Sequence, residues 1–298
     1  MAKPKTAIIG PGVVGKAAGK LLRAKRFPIA GVAGTSLHAA RAAVKFIGGG
    51  RAARSASAAA RGADIVLLTT PDRAIAEVCR EIVDAKAVKR NAVVFHFSGA
   101  HGSDLLAPVR ERKAFAAALH PMQSFASPGA AIRTMKGAFF TFDGDDEAAP
   151  VAESLVKALG GRMLRIAPEN KALYHAAGCV ISNYVAAIAD LGVIMLTLSG
   201  LPPKDAARAA APLLKGTADN IARLGMPQAL TGPISRGDVE TVERHLAALA
   251  RLPSEIRGLY RQLGLYTVRV AQRKGTLHAA EARRMINLLS GRHRPGRG

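Results

Sequence analysis

Apolar residues recur in two alternating patterns along the first half of the chain. Short apolar runs such as "TAIIG" and "DIVLLTT" predict buried strands, and segments between them such as "VVGKAAGKLLRAK" repeat apolar residues at helical spacing. This alternation continues through the strand "NAVVFHFSG" and the helical segment "GSDLLAPVRER" to a last strand, "RMLRIAP". Because parallel strands need crossover connections, the pattern predicts a doubly wound α/β domain with a mostly parallel sheet.

From Glu169 onward only helical spacing remains. Five helices are predicted, over residues 170–199, 203–224, 239–250, 254–273 and 279–290. We therefore expect an α/β domain at 1–167, an all-helical domain for substrate binding and dimerisation at 168–290, and a disordered basic tail at 291–298.

The first of these helices is apolar on every side. Its part from 176 to 198 approaches the length of a membrane span, but Asn183 and Asp190 interrupt it. A helix of this kind is expected to be buried against neighbours, which can come from a second subunit of a homodimer. The pattern therefore favours a buried helix and no membrane association.

Composition narrows the choice of partners and compartment. The formal charge is +22, which is compatible with a polyanionic ligand, but the arginines are scattered through helices and Trp is absent. This distribution argues against a nucleic-acid-binding surface.

The two cysteines, Cys79 and Cys179, lie far apart within helical patterns, and a strand begins within a few residues of Met1. Both features favour a reducing, cytoplasmic location over secretion.

A glycine motif follows the first predicted strand. In "GPGVVG", Gly10 makes a tight turn, Gly12 lets a pyrophosphate approach the backbone, and Gly15 packs helix on strand. The intervening residues Pro11, Val13 and Val14 complete the loop and open the helix. A glycine loop between a strand and a helix predicts a Rossmann domain that binds a dinucleotide at a helix N-terminus.

The segment after the second strand indicates which dinucleotide. NAD-binding domains carry an acidic residue there, whereas this chain has Thr35 and Ser36, with Arg41 on the following helix. These side chains can bind a 2′-phosphate, so the sequence favours NADP over NAD. The strand "DIVLLTT" ends at Thr70 and is followed by Pro71, and both residues are expected beside the nicotinamide ribose. Asp72 is expected to cap a helix.

Four further motifs carry a family resemblance: "FSGAHGSDLL", "ALHPMQSF", "KALYHAAGCVISNY" and "LTGPISRGD". Together with the glycine loop, they resemble an uncharacterised family that joins a Rossmann domain to a C-terminal helical domain of unknown function. That family is related to the β-hydroxyacid and 6-phosphogluconate dehydrogenases, pyrroline-5-carboxylate reductase, ketopantoate reductase and prephenate dehydrogenase. The resemblance covers nearly the whole chain and implies an NAD(P)-dependent oxidoreductase.

The resemblance supplies candidate catalytic residues. Lys171 and His175 resemble the Lys-x-x-x-Asn of the β-hydroxyacid dehydrogenases, in which the lysine is a general acid or base and the asparagine orients the substrate. Residues four apart share a helix face, so both heads could reach one carbonyl or imine, and partial burial would suit the lysine to proton transfer. The alternatives are a solvated lysine and a structural histidine.

A second group is expected at the carboxyl edge of the sheet. His120, in "ALHPM", resembles the His-Pro of prephenate dehydrogenases, in which the histidine bonds the hydroxyl that is oxidised, although it could also be structural. Ser98, with Gly99 and His101, ends another strand where this superfamily places its substrate, while His96 is expected to lie deeper.

Two residues of the helical half complete the predicted substrate site. Asn183 lies two turns beyond His175 on the same face, and Arg236 could bind an anionic substrate. No metal site is predicted. The sequence thus favours an NADP-dependent reductase that transfers hydride to a carbonyl or imine of a small carboxylate-bearing substrate, and a non-catalytic dinucleotide sensor or a nucleic-acid binder remains an alternative.

Overall fold

A computed structural model describes residues 3–292, and its internal contacts divide the chain into two units. The first unit ends at Tyr184 and the second begins at Val185. The pattern of strands predicts a boundary earlier, between 167 and 168, at the end of the last strand; that boundary stays a prediction. Residues 293–298 of the predicted basic tail lie outside the described residues.

The first unit contains one eight-stranded sheet with strand order β3-β2-β1-β4-β5-β6-β7-β8. Its strands are β1 (Thr6–Ile9), β2 (Ile29–Ala33), β3 (Arg51–Ala52), β4 (Ile65–Leu68), β5 (Val93–His96), β6 (Phe115–Pro121), β7 (Phe139–Gly144) and β8 (Arg162–Arg165). Neighbouring strands are parallel except for β6 and β7, which are antiparallel. The predicted doubly wound, mostly parallel sheet is therefore confirmed.

Helices pack on both faces of this sheet. They are α1 (Val13–Ala24), α2 (Leu37–Ile47), α3 (Ala56–Ala60), α4 (Ile75–Asp84), α5 (Pro128–Thr134) and α6 (Ala149–Leu159), and α7 (Lys171–Ile181) follows the last strand. Successive strand residues point to opposite faces, so Ile8 and Leu67 join one buried cluster while Ala7 and Val66 join the other. Both faces of the central strands are thus buried, which explains their uninterrupted apolar runs.

Three short elements lack a sequence signal, and a fourth element differs in form from its prediction. β3, α3 and α5 have two, five and seven residues, too few to show a clear periodicity. The segment predicted as a helix over 102–112 is a 3-10 helix, Ser103–Arg112, with Pro108 inside it. Proline lacks a backbone N–H, so the regular α-helical hydrogen bonds cannot form there.

The second unit is built from helices, as predicted. They are α8 (Asn183–Leu198, which begins in the first unit), α9 (Pro203–Leu224), α10 (Val239–Leu249), α11 (Ser254–Lys274) and α12 (Ala279–Leu289). The single helix predicted over 170–199 is divided at Ser182, where φ is −112° and ψ is −68°. A buried cluster that includes Val242, Val268 and Met285 forms the core of this unit.

The apolar helix α8 is not buried within the chain. None of its residues is buried by contacts among residues 3–292, so its burial against a second subunit stays a prediction. By length and composition alone, the stretch Pro168–Leu198 could cross a membrane, a test that core helices of other proteins also pass. The second unit covers too little of the helix surface for a helix that is apolar all round, so its burial would require a further neighbour.

Candidate functional site

The predicted glycine loop connects β1 to α1 and is shaped by close contacts. Gly10 has a φ of 82°, and a Cβ there would lie 2.6 Å from the backbone nitrogen of Thr70, while a Cβ on Gly15 would collide with the Thr69 side chain. Gly12 differs, because its φ is −73° and a Cβ would meet only the Gly10 carbonyl oxygen, at 4.0 Å. The loop is therefore packed from beneath and open at Gly12, beside the N-terminus of α1, which is the geometry a pyrophosphate needs.

A cavity of about 430 Å³ adjoins this loop at the carboxyl ends of β1, β2 and β4. The strand order reverses between β1 and β4, the position where doubly wound sheets bind ligands. Four of the predicted cofactor residues line the cavity: Gly10, Thr35, Thr70 and Pro71. Pro11, Val13 and Val14 belong to the loop and the first turn of α1.

Ser36 and Arg41, which the sequence predicts as ligands of the 2′-phosphate, do not line this cavity. The Ser36 hydroxyl accepts a hydrogen bond from Ala39 N and caps α2, and Arg41 is exposed on α2 without lining the cavity. The cavity is lined instead by Arg54, from the segment between β3 and α3, and by Glu81 of α4. Neither of these two residues belongs to the motifs that the sequence presents.

The most deeply buried charges form an ion pair between Lys171 and Asp143. The Lys171 Nζ lies 3.0 Å from Asp143 Oδ2, and each side chain is 1% exposed. The other carboxylate oxygen, Oδ1, accepts a hydrogen bond of 2.8 Å from the backbone N–H of Ser103. Asp143 stands in a row with Ala118 and His96 on three neighbouring strands, so the pair packs against the face of the sheet.

This burial corrects the expected setting of Lys171. The spacing with His175 suggests a partly buried lysine whose head reaches the substrate, or a solvated one. In the structure the ammonium is buried, and among the described residues neither Nζ nor Oδ2 has a hydrogen bond besides this ion pair. The physical reason is Asp143, because a buried carboxylate without a counter-charge would carry a large desolvation cost.

His120, at the end of β6, forms the centre of a second group. Its Nδ1 lies 2.8 Å from the Tyr174 hydroxyl, and the two rings meet edge to face at 5.6 Å between centroids. Burial lowers the pKa of His120 to about 4, and the positive charge of Lys171 acts in the same direction. Burial also raises the pKa of Tyr174. His120 is consequently a neutral imidazole near pH 7, with one ring nitrogen as donor and the other as acceptor.

Gly99 and His175 complete the surroundings of this ring. A Cβ on Gly99 would lie 2.8 Å from His120 Nε2 and 2.9 Å from His175 Cδ2, so only glycine fits between the two histidines. Their ring centroids are 6.4 Å apart. His120 and His175 line one cavity of about 500 Å³ together with Cys179 and Asn183. The sequence-predicted residues His120, Gly99, His175 and Asn183 are therefore neighbours.

Ser98 and His101 belong to a turn held by Asp72. The Ser98 hydroxyl donates to Asp72 Oδ2 at 2.8 Å and accepts from the backbone N–H of His101 at 3.2 Å. His101 Nε2 lies 4.0 Å from the same carboxylate oxygen, with both side chains half exposed. The sequence predicts that Asp72 caps a helix, but the structure shows that it makes no such cap and accepts from Ser98 instead.

His96 lies beneath this turn and is fully buried, as predicted. Its Nδ1 accepts from the backbone N–H of Ser98, at 3.2 Å, so the ring proton is on Nε2, which donates to the Gly102 carbonyl oxygen at 2.8 Å. Burial lowers the pKa of His96. This histidine is a structural, neutral residue that fixes the turn.

Arg236 belongs to the second unit. It ends a 3-10 turn, Ile234–Arg236, and is exposed. Asp238 begins α10 and accepts a hydrogen bond of 3.0 Å from Thr241 N, which confirms its predicted role as a helix cap.

Comparison with known families agrees with this architecture. A Rossmann-like family model matches residues 1–121, and the model of a domain of unknown function, DUF2520, matches residues 138–267. The chain is a Rossmann-like protein with a DUF2520 domain. The uncharacterised family suspected from the motifs is thereby confirmed, and the DUF2520 match includes β7 and α7. No curated protein matches the sequence.

Solved structures share the fold of this DUF2520 protein. Protein TM1727 from Thermotoga maritima is 25% identical, with a TM-score of 0.72 over 91% of this chain and 99% of that one. A protein described as a candidate NADP oxidoreductase, BF3122 from Bacteroides fragilis, is 22% identical, with a TM-score of 0.71 and coverages of 90% and 99%. An imine reductase from Pseudomonas sp. is 20% identical, with a TM-score of 0.61 and coverages of 98% and 100%.

Asp143 and Tyr174 are residues near His120 that sequence reasoning missed, as it missed Arg54 in the cofactor cavity. For Asp143 and Tyr174, the sequence contains a pattern from which each could have been predicted. In "FFTFDG", Phe140 and Phe142 point into one core, so Asp143 points to the opposite face, which is also covered in a doubly wound sheet. Tyr174 lies three residues after Lys171, on a neighbouring part of the same helix face.

The buried pair predicts a strong energetic coupling. We expect Lys171→Met and Asp143→Asn each to lower the free energy of unfolding by about 3–5 kcal/mol, because each leaves its partner without a counter-charge or a matched polar group. The double variant should lose clearly less than the sum of the two, since it leaves no buried charge without a partner. Urea denaturation followed by circular dichroism measures the three values, and strict additivity would contradict the coupling.

Proposed function

We propose that the protein is an NADP-dependent reductase that transfers hydride to the carbonyl or imine carbon of a small substrate. The observation that carries the proposal is the placement of two features on one sheet edge. The glycine loop follows β1 and His120 ends β6, three strands away. At ~4.8 Å per strand these positions are about 14 Å apart, a distance that an extended dinucleotide bound over the sheet can bridge.

The residues that would hold the cofactor fit a dinucleotide. The open backbone at Gly12 and the N-terminus of α1 would face the pyrophosphate, and the cavity beside Thr35 would accept the adenosine half. When bound, NADPH supplies the hydride. The structural neighbour from Bacteroides fragilis, which is described as a candidate NADP oxidoreductase, supports the cofactor, and the Pseudomonas imine reductase supports the reaction class.

His120 is proposed to polarise the substrate in its neutral form. With the Tyr174 hydroxyl donating to Nδ1, the ring proton is on Nε2, the nitrogen beside Gly99. A neutral Nε2–H can donate to a carbonyl oxygen or an imine nitrogen and stabilise the negative charge that develops on that atom as hydride arrives, and solvent supplies the proton that completes the alcohol or amine. Tyr174 acts as a positioning residue that fixes the tautomer and the ring orientation. His175 and Asn183, in the same cavity, would orient the substrate.

Recognition of a substrate carboxylate needs a residue other than Lys171 or Ser98. The charge of Lys171 is neutralised by Asp143, and the Ser98 hydroxyl proton is donated to Asp72. The Asn183 amide, in the cavity of His120, keeps the donors that a carboxylate requires, and we assign carboxylate binding to it. The role of the Arg236 guanidinium in binding an anionic substrate stays a prediction from the sequence.

The cysteines bear on the compartment. Cys79 and Cys179 are both free thiols, which suits a reducing environment, and dependence on NADPH would suit the same environment. We therefore also propose a cytoplasmic location.

Gly12→Ala separates cofactor binding from folding. The Cβ has space in the folded loop, so the melting temperature without ligand should stay within about 2 °C of wild type. The methyl group lies where the pyrophosphate approaches, so the affinity for NADPH should fall at least about tenfold. A thermal-shift titration measures both quantities. If neither NADPH nor NADH at saturating concentration raises the melting temperature of the wild type, the proposed function is refuted.

His120→Phe tests the proposed chemistry. Loss of the Nε2–H donor should lower kcat/KM by about 10²–10³-fold, and Tyr174→Phe should cause a smaller loss, because it removes only the positioning hydrogen bond. NADPH oxidation is followed with a panel of small keto acids and cyclic imines, and the NADPH affinity of each variant is determined in parallel.

His245→Phe is the matched control for this experiment. His245 also has its Nδ1 2.8 Å from a tyrosine hydroxyl, that of Tyr260, but in the second unit. We expect wild-type turnover from this variant. Wild-type turnover from His120→Phe would remove His120 from the mechanism, and NADPH binding without oxidation by any member of the panel would favour a dinucleotide sensor.

We also propose that the protein is a homodimer formed through its helical unit. Large apolar side chains of this unit are exposed on the isolated chain, including Ile194 at 42% and Leu213 at 73%. A helix as apolar as α8 requires burial, and a second copy of the same unit offers a matching apolar surface.

Sedimentation velocity tests the homodimer. Wild type should sediment as two chains of 31.0 kDa each. The Ile194→Glu and Leu213→Glu variants should shift toward monomer, because a carboxylate placed in an apolar interface carries a desolvation cost. The exposed Glu255→Gln serves as the control that leaves assembly unchanged. A monomeric wild type at micromolar concentration would overturn this proposal.

A further inference from the structure

The cavity beside the glycine loop contains a cation that the function described so far does not use. Arg54 follows β3 and lines this cavity together with Thr35, which follows β2. The strand order places β3 beside β2, so the two residues come from adjacent strand ends at one side of the cavity. A role for Arg54 in this cavity rests on the proposed binding of a dinucleotide.

The Arg54 guanidinium has all its donors free. Within residues 3–292 its side chain makes neither a hydrogen bond nor an ion pair. Neighbouring arginines are engaged, since Arg51 donates to the Ala58 carbonyl oxygen at 2.6 Å and Arg61 donates to that of Ala85 at 3.3 Å. Glu81, the carboxylate of this cavity, accepts from Ser57 N at 3.0 Å and forms no ion pair with Arg54 in the described part of the chain.

Some of the nearby hydroxyl groups have hydrogen-bond partners within the described residues, and one does not. Ser36 and Ser55 cap α2 and α3 by accepting backbone N–H donors, whereas the Thr35 side chain makes no hydrogen bond among the residues that the structure describes. Arg41 also lacks a partner in that part of the chain, but it does not line the cavity. From this side the Arg54 guanidinium and the Thr35 hydroxyl line the cavity without a hydrogen bond in the described part of the chain, whereas the Ser55 hydroxyl, which also lines it, lies 3.0 Å from the Ser57 hydroxyl. A guanidinium and a hydroxyl together suit a phosphate monoester.

We propose that Arg54, assisted by Thr35, binds the 2′-phosphate of NADP and determines the preference for NADP over NAD. This assignment replaces Arg41, which the sequence pattern suggests for the role. Arg41 follows the second strand by eight residues and is the expected position in sequence; Arg54 reaches the same cavity because β3 and β2 are neighbours in the sheet.

The test compares nucleotide affinities, independent of turnover. Dissociation constants for NADPH and NADH are measured by calorimetry with wild type, Arg54→Gln and the matched control Arg41→Gln. We expect wild type to prefer NADPH, and Arg54→Gln to lose about tenfold to a hundredfold in NADPH affinity with less than about a twofold change for NADH. Arg41→Gln should alter neither affinity by more than about twofold.

Adenosine 2′,5′-bisphosphate and adenosine 5′-monophosphate serve as probes of the phosphate alone. Wild type should bind the bisphosphate more tightly, and Arg54→Gln should remove that difference. Equal losses for NADPH and NADH would assign Arg54 to the adenine ring and overturn the proposal, as would a selective loss in Arg41→Gln or an unchanged Arg54→Gln. If wild type binds neither dinucleotide, the proposed function itself fails, whereas in the other cases dinucleotide binding stands.

Discussion

The buried ion pair between Lys171 and Asp143 is the interaction on which the candidate site depends. It joins the first residue of α7 to β7, and through Ser103 N it also holds the start of the 3-10 helix after β5. With both charges removed from water, their attraction offsets the desolvation cost only when the two groups stay in close contact. The first turn of α7 is thereby fixed on the sheet, and Tyr174 and His175 are placed beside His120.

The cofactor half of the site depends on backbone contacts instead. Gly10 and Gly15 admit no side chain because Thr70 and Thr69 pack against them, and this packing brings β1, α1 and β4 together. Gly12 is the loop glycine whose outer side stays open. Gly10 and Gly15 thus serve the packing of the loop, and Gly12 leaves room for a ligand. The same edge of the sheet continues from β1 through β4 and β5 to His120 at the end of β6.

Sequence reasoning predicted the long elements and the glycine loop because each has a strong local pattern. Strand runs such as "IVLL" and the helical spacing of α9 need no tertiary information. The ion pair could not be read in the same way, since Lys171 and Asp143 are joined only by the antiparallel placement of β7 and by the start of α7. Arg54 was missed for a similar reason, because β3 has two residues and only strand order brings it to the cofactor cavity.

Hydrogen exchange of the backbone amides, with and without NADPH, tests dinucleotide binding at the glycine loop most directly. NADPH is expected to slow exchange in segments 10–16, 34–36 and 53–57, which form the loop and the two sides of its cavity. Helix α10 serves as the reference segment, because none of its residues lines that cavity. Unchanged exchange at 10–16 in the presence of saturating NADPH would contradict binding at this loop.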